Sequence, residues 1–153
     1  MSSNRTQGGF TLIELVVVIT ILGILAAFAV PRFSSLEGQA RTAAVQSLGG
    51  SVRSGAALAH ALWLAQGNPA SVSVTMEGQA IALVNGYPTA AAAGIPFTLT
   101  DTTGFVGAAA GGNFTFTKQS TSTPPVAIAN CLVTYQPAPA NGAPTVTTNT
   151  AGC

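Results

Sequence analysis

The feature that most constrains this chain is an uninterrupted apolar run from Phe10 to Val30, bounded by Pro31 and Arg32. At 1.5 Å per residue, a helix of this length extends about 30 Å, which is enough to cross the hydrocarbon core of a membrane. The residues before it are polar and carry one positive charge, at Arg5. The sequence therefore predicts a membrane-spanning helix near the N-terminus.

One carboxylate, Glu14, lies near the start of this apolar run. A charge at the centre of a spanning helix costs about 2.5–3.5 kcal/mol, and less near an end, so the carboxylate calls for a partner. The run itself contains no cation. Cleavage after Gly9 would create one, because Phe10 would then carry a free amine one helical turn from Glu14, and neighbouring copies would present the same amine. The attraction between such charges is many-fold stronger in a dry helix bundle than in water.

Two other interpretations of the same segment remain open. In the first it is an ordinary secretory signal, with Arg5 in the positive region, Leu15–Leu25 as the apolar region and Ala27-Phe28-Ala29 as the cleavage site. The mature protein would then be a secreted enzyme or binding module that begins at Val30. In the second it is a plain membrane anchor. Neither interpretation supplies a partner for Glu14.

The segment Gly9-Phe10-Thr11-Leu12-Ile13-Glu14, followed by the apolar helix, closely resembles the class III signal and N-terminal helix of type IVa pilins and related pseudopilins. The resemblance implies that a prepilin peptidase cuts between Gly9 and Phe10 and methylates the new amine of Phe10. It also implies that Glu14 guides docking into the growing filament and that Pro31 bends the helix.

The same resemblance implies a location and a set of partners. The precursor would lie in the inner membrane and would meet the prepilin peptidase and the inner-membrane pilus assembly machinery. The mature chain would then polymerise with copies of itself into a helical homopolymer, a pilus on the bacterial surface. More loosely, Asn85–Pro88 and Asn130–Tyr135 look like the mannose-sensitive haemagglutinin branch of the family.

The helix is expected to continue after Pro31 with one apolar face, because apolar residues recur at steps of three and four. This predicted face comprises Phe33, Leu36, Ala40, Ala44, Leu48, Val52, Ala56, Ala59 and Trp63. Four glycines in the segment each weaken a helix by up to ~1 kcal/mol relative to Ala; they are Gly38, Gly49, Gly50 and Gly55. Gly67-Asn68-Pro69 is expected to end the helix.

The remaining sequence alternates between apolar and polar residues in several short stretches, which predicts strands. Expected features are a hairpin from Val72 to Leu83 around Gly78-Gln79, turns at Asn85–Pro88 and Gly111-Gly112, and strands at 113–118, 127–135 and 145–148. Cys131, Val133 and Tyr135 should share one strand face.

The predicted fold class is α+β, with a long N-terminal α-helix, apolar in its outer half and amphipathic in its inner half, packed on a small antiparallel β-sheet head. The predicted division is leader 1–9, membrane or filament-core helix 10–30, amphipathic half 31–68 and head 69–153.

The chain contains two cysteines, Cys131 and Cys153. In a head that leaves the cytoplasm a disulfide is the default expectation, with two unpaired thiols as the alternative. The pairing resembles the disulfide-bounded C-terminal loop of type IV pilins. The disulfide would hold in place a C-terminal tail that is rich in Pro and Thr and poor in large apolar residues.

Charged residues make up 6% of the chain, against a typical ~25%. The net charge of +1 does not indicate a basic surface of the kind that binds nucleic acid. His60 is the only histidine, and we expect it to lie on a helix face. Glu37, Glu77 and Asp101 are too far apart in the sequence to suggest a pair for acid–base catalysis or a metal site. We expect neither enzyme activity nor a cofactor, a metal site or a nucleic-acid partner.

Two filament-forming functions share this N-terminus. One is a structural pilin whose pilus serves surface adhesion and/or motility, and the alternative is a type II secretion pseudopilin that forms a short periplasmic pseudopilus. Pseudopilins of the major type usually lack the C-terminal disulfide and carry a calcium-binding acidic loop. No Asp or Glu follows Asp101 here, which favours the pilin.

Overall fold

A computed structural model describes residues 9–68 and 72–153, except for the side chains of residues 30–35. The chain divides into two units, Met1–Gly38 and Gln39–Cys153. Outside the described residues lie most of the predicted leader and the helix terminator Pro69. The side chains of Pro31, the predicted bend, and of Phe33, a predicted face residue, are not described either.

One helix, α1, runs from Leu12 to Ala65. It ends as the glycine signal predicts: the Gly67 N–H donates to the Leu64 carbonyl at 2.9 Å, and the Asn68 N–H donates to the Trp63 carbonyl at 3.2 Å. This pair of bonds is the Schellman arrangement, which requires a left-handed residue just past the helix. Gly67 supplies it with a φ of 79°.

The strands form two antiparallel sheets rather than the single sheet expected. The first has three strands, β1 (Ser73–Met76), β2 (Gln79–Val84) and β3 (Tyr87–Pro88). The predicted β1–β2 hairpin is confirmed, but Met76 pairs with Gln79, so its turn is Glu77-Gly78, one residue earlier than expected. The predicted turn at Asn85–Pro88 is shorter as well, because Tyr87 and Pro88 already pair with β2.

The second sheet has four strands in the order β4-β5-β6-β7. They are β4 (Phe105–Ala110), β5 (Asn113–Gln119), β6 (Ala127–Gln136) and β7 (Thr145–Asn149). The three later strands and the Gly111-Gly112 turn confirm the prediction, whereas β4 was not expected. A 3₁₀ helix, Ile95–Thr98, precedes this sheet and buries Ile95 completely. The α+β fold class is therefore confirmed.

The core lies between the inner half of α1 and the sheets. One cluster joins α1 residues from Val45 to Ala56 with Ile95 and with the buried side chains of β5 and β6: Phe114, Phe116, Cys131, Val133 and Tyr135. A second cluster joins Ala59 to Val74, Ile81 and Leu83. The predicted helix face is thus confirmed from Leu48 to Ala59, with Val45 added, and the predicted face residue Trp63 packs, partly buried, against the second cluster. Leu36 and Ala40, which were placed on this face, are exposed, Leu36 by 55%.

Tyr135 connects the two sheets. Its hydroxyl donates to the Pro88 carbonyl at 2.7 Å inside the core. Burial, and then the nearby Tyr87, raises the pKa of the Tyr135 phenol. The phenol therefore stays protonated at ordinary pH and can donate to this buried carbonyl, which offsets the cost of burying both polar groups.

Two of the helix glycines permit close packing against the head. A Cβ at Gly49 would lie 2.5 Å from Thr148 Cγ2 on β7, and one at Gly55 would collide with the Thr98 hydroxyl and lie 2.9 Å from its Cβ. Thr98 has little freedom to move, because its hydroxyl donates to the Ile95 carbonyl at 2.8 Å. By contrast, a Cβ at Gly50 would meet nothing within 4 Å.

Because Gly50 has free space and Gly55 does not, the same Gly→Ala substitution should change the free energy of unfolding in opposite directions at the two positions. Gly50→Ala should raise the free energy of unfolding by up to ~1 kcal/mol, because it removes a helix-weakening glycine without a clash. Gly55→Ala should lower it by about 1–3 kcal/mol, because the added methyl group overpacks the contact with Thr98. Thermal unfolding of the full-length variants in detergent measures both. Stabilisation by both substitutions would contradict the close contact between α1 and the 3₁₀ helix.

Candidate assembly site at the start of the helix

Thr11 and Glu14 form a capping box at the start of α1. The backbone N–H and the hydroxyl of Thr11 each donate to Glu14 Oε2 at 2.8 Å. In return, the Glu14 N–H donates to the Thr11 hydroxyl at 3.3 Å. Because α1 begins at Leu12, Thr11 is the N-cap and Glu14 the third helical residue, the positions that this reciprocal pattern requires.

The capping box fixes the position of the Glu14 carboxylate. An acidic group in the first turn is favoured by the helix dipole, and here it also accepts hydrogen bonds from the end of its own helix. The apolar surroundings of Glu14 predicted a cation as its partner and did not indicate these neutral donors. The pattern Thr-x-x-Glu ahead of an apolar run is a recognised sequence signal and would have revealed them.

Phe10 and Glu14 lie on the same side of the helix start. A shallow groove of about 420 Å³ is lined by Phe10, Ile13, Glu14, Val17 and Val18, which are spaced as one helical face. Both Gly9 and Phe10 precede the helix in irregular, exposed backbone. The Gly9–Phe10 peptide bond is therefore outside the helical hydrogen-bond network.

Among the described residues, large apolar side chains at and just before the start of α1 are exposed. Phe10 is 90% exposed, Leu12 80% and Ile13 71%. The segment Leu12–Ala29 has a mean hydropathy of 2.7 and is long and apolar enough to cross a membrane. Because soluble proteins rarely leave so large an apolar surface in water, this segment fits membrane anchoring of a precursor or burial in an assembly.

The predicted disulfide is confirmed. Cys131 on β6 is bonded to Cys153 with a Cα–Cα distance of 4.9 Å, and the bond closes the segment that contains β7. The Gly152 N–H also donates to the Asn130 carbonyl at 3.0 Å. A Cβ at Gly152 would collide with the Ala129 carbonyl, so the chain end is held close against β6.

His60 packs within an aromatic stack on the head. Its ring lies 4.0 Å from the Tyr87 ring at an interplanar angle of 5°, and 5.5 Å from the Trp63 ring. Nδ1 lies 2.9 Å from the Gly86 carbonyl, which can only accept, so Nδ1 is the donor. These contacts give His60 a packing role between α1 and the Asn85-Gly86 turn. In the described part of the chain, no three His, Cys, Asp or Glu side chains are grouped as a metal ion would require.

The N-terminal segment matches a known protein family. Residues 4–30 match the prokaryotic N-terminal methylation motif. The match includes Gly9, Phe10 and Glu14 and extends through the apolar helix. The first unit of this chain is therefore of the class that carries this motif.

Several curated proteins are similar over a longer stretch. The type IV narrow pilus major component PilA5 of Thermus thermophilus is 57% identical over 51 residues, which are 33% of this chain and 44% of PilA5. The type IV major fimbrial protein FimA of Dichelobacter nodosus is 38% identical over 94 residues, 58% of each chain. The type II secretion system core protein G of Pseudomonas aeruginosa is 58% identical over 38 residues, 25% of this chain and 27% of that protein.

The predicted resemblance to type IV pilins is thereby confirmed. The mannose-sensitive haemagglutinin branch is not singled out by these similarities. The chain spans about half of the length of the two pilus proteins that it matches. It matches no solved structure.

Proposed function

We propose that this chain is a structural pilin subunit that polymerises into a type IV pilus on the bacterial surface. The observation that carries the proposal is the methylation motif over residues 4–30, joined to an exposed apolar helix that begins at Leu12 with the Thr11–Glu14 capping box. A filament subunit needs such a helix twice, first as a membrane anchor and then as the filament core. The role is structural rather than enzymatic.

The precursor is anchored in the inner membrane, and a prepilin peptidase cuts it between Gly9 and Phe10 and methylates the new amine of Phe10. Support for this step comes from the irregular, exposed backbone at the cleavage position and from the motif itself. The inner-membrane assembly machinery then adds the cut chain to the filament. In the bundle, the Glu14 carboxylate meets the Phe10 amine of a neighbouring copy, and Pro31 allows the helix to bend.

The head favours a pilus over a type II secretion pseudopilus. The disulfide closes the C-terminal segment, and the sequence after Asp101 contains no acidic residue that a calcium-binding loop would require. The similarity to core protein G keeps the pseudopilus as the second candidate. A disulfide-closed head with few charged residues suits an exposed filament that serves adhesion and/or motility.

Gly9→Ser tests the processing step. The substitution should leave an uncut precursor in the membrane and abolish filaments, because the peptidase requires a very small residue at the bond that it cuts. Mass spectrometry of the membrane fraction would show a chain that retains Met1–Gly9, and electron microscopy would show bare cells. Gly8→Ser is the matched control and should be cut normally. Filaments of normal length from Gly9→Ser would contradict the proposed processing.

A further inference from the structure

Strand β4 is an unprotected edge of the four-stranded sheet. It is the outermost strand, and its residues 106–110, Val-Gly-Ala-Ala-Ala, are all exposed. It pairs with β5 in unbroken register from Phe105 to Ala110. Natural proteins usually protect such an edge with a charge, a proline, a bulge or a covering segment, and β4 itself carries no charge, no proline and no bulge.

The hairpin geometry shows which backbone groups point outward. Gly111 and Gly112 form a two-residue turn with φ values of 58° and 80°, so the flanking pair Ala110–Asn113 is hydrogen-bonded. Along an antiparallel ladder, hydrogen-bonded pairs alternate with non-hydrogen-bonded pairs. Gly107 and Ala109 are in non-hydrogen-bonded pairs with β5, so their N–H and C=O groups point away from β5. Further along, the outward N–H of Phe105 donates to Thr102 at 3.0 Å. Within residues 9–68 and 72–153, no hydrogen bond engages the outward groups of Gly107 and Ala109.

The opposite edge of the same sheet is protected. On β7, the Val146 carbonyl accepts a hydrogen bond from Arg53 at 3.0 Å, and Pro144 precedes the strand. Thr148 packs against Gly49 of α1. The contrast shows that the available edge of this sheet is β4.

We propose that β4 pairs antiparallel with β4 of a second copy about a two-fold axis that passes midway between the two Ala108 residues. In that register Gly107 faces Ala109 of the second copy and Ala109 faces its Gly107, so every outward group of both residues gains a partner. Ala108 meets Ala108 of the second copy across a non-hydrogen-bonded pair. Neither strand carries a charge, so no like charges oppose each other. The two sheets become one continuous sheet.

This inference rests on the proposed function, and the symmetry identifies which copies meet. Subunits within one pilus are related by a screw operation, which brings different surfaces together, whereas β4 paired with itself requires a two-fold axis. The second copy therefore belongs to another filament. One edge contact is much smaller than the ~1,600 Å² of a typical stable interface. When the same contact is repeated along two filaments, multivalency makes the association of the filaments much stronger than one contact alone. β4 is thus a bundling surface.

Engineered disulfides test the register. Paired residues at a non-hydrogen-bonded position have Cα atoms about 4.5 Å apart, within the range that a disulfide spans. Ala108→Cys should therefore yield a dimer on non-reducing gels of sheared filaments. Val106→Cys or Ala110→Cys alone should remain monomeric, because residue 106 faces residue 110 of the second copy. Mixing cells that carry these last two variants should produce the dimer between separate filaments.

Charge substitutions test the function of the surface. Ala108→Lys should abolish bundles seen by electron microscopy, because two ammonium groups would meet at the axis. Filaments of Ala108→Glu should likewise remain single, and mixing the two kinds should restore bundles. Thr147→Lys places the same charge on the protected edge strand β7 and should bundle like wild type.

The outcomes separate this inference from the proposed function. If wild type makes no filaments, the proposed function is contradicted, and the pairing is still tested by oxidising the full-length Ala108→Cys chain at high concentration in detergent, where a disulfide traps even a weak contact. Filaments that form but stay monomeric at position 108, or that bundle despite Ala108→Lys, would overturn the inference. A cross-link from position 108 to a protein of different mass would also overturn it.

Discussion

Replacement of Cys153 by Ser is expected to lower the free energy of unfolding of the head by about 2–5 kcal/mol. The bond joins residues separated by 22 positions and constrains the unfolded chain accordingly. It also holds a segment that contributes little to the core: β7 leaves most of its residues exposed, and the intervening tail is rich in Pro and Thr. The other contacts that hold the segment are the pairing of β7 with β6 and hydrogen bonds such as that from Arg53 to the Val146 carbonyl.

The loss should be local. Membrane insertion and cleavage after Gly9 should proceed, because neither involves the head, while limited proteolysis should cut the segment from Cys131 onward faster than in wild type. Ala151→Ser is a suitable control, since it adds a hydroxyl at a nearby exposed position and keeps the disulfide. Cys131→Ser should cost more than Cys153→Ser, because Cys131 is fully buried and its hydroxyl replacement would also need a hydrogen-bond partner. Two free thiols in unreduced wild-type protein would refute this account.

The elements with strong periodicity could be predicted from the sequence. The helix, β5 and β6 each repeat apolar residues at the spacing of their own structure, and the side chains so identified form the core. Strand β4 could not be predicted in this way, because Phe-Val-Gly-Ala-Ala-Ala has no alternation and several poor strand formers. The tight Gly111-Gly112 turn forces it alongside β5. There the Phe114 ring fills the space above Gly107, where a Cβ would lie 2.8 Å away. Tertiary contacts thus override local preference.

The separation into two sheets also depends on contacts that no local pattern contains. Short turns of two residues place β1, β2 and β3 against the end of α1, while Tyr135 joins them to the larger sheet through Pro88. Leu36 and Ala40 continue the helix periodicity, but core packing against the strands begins only at Val45. Periodicity identifies a face and does not reveal how far along the helix that face is covered.

The candidate assembly site was identified from the sequence through the mismatch between Glu14 and its apolar surroundings. The structure adds that the Glu14 carboxylate is the acceptor of the capping box with Thr11. A substitution at Glu14 therefore removes a helix cap and a charge together. The two contributions differ in size: a lost cap costs about 1 kcal/mol, whereas an ion left unpaired in a dry bundle costs about 3–5 kcal/mol.

Three variants separate these contributions. Glu14→Gln preserves the capping pattern, since Gln is equally suited to this position, and removes only the charge. Thr11→Ala preserves the charge and removes the N-cap side chain. Glu14→Val removes both. If the carboxylate meets the Phe10 amine of a neighbouring subunit, filaments should be lost in Glu14→Gln and Glu14→Val alike, whereas Thr11→Ala should assemble with a modest reduction.

The state of the unassembled protein completes the test of Glu14. Both Glu14 variants should accumulate in the membrane as cut chains that begin at Phe10, because an apolar or neutral side chain removes the cost of burying a charge and favours insertion. Co-expression with wild type should allow an occasional variant subunit into the filament, since its own Phe10 amine can still meet a wild-type carboxylate. Increasing the variant share should then reduce filament yield progressively. Wild-type yield from Glu14→Gln alone would show that the charge is dispensable, and loss in Thr11→Ala equal to that in Glu14→Gln would assign the effect to the helix cap.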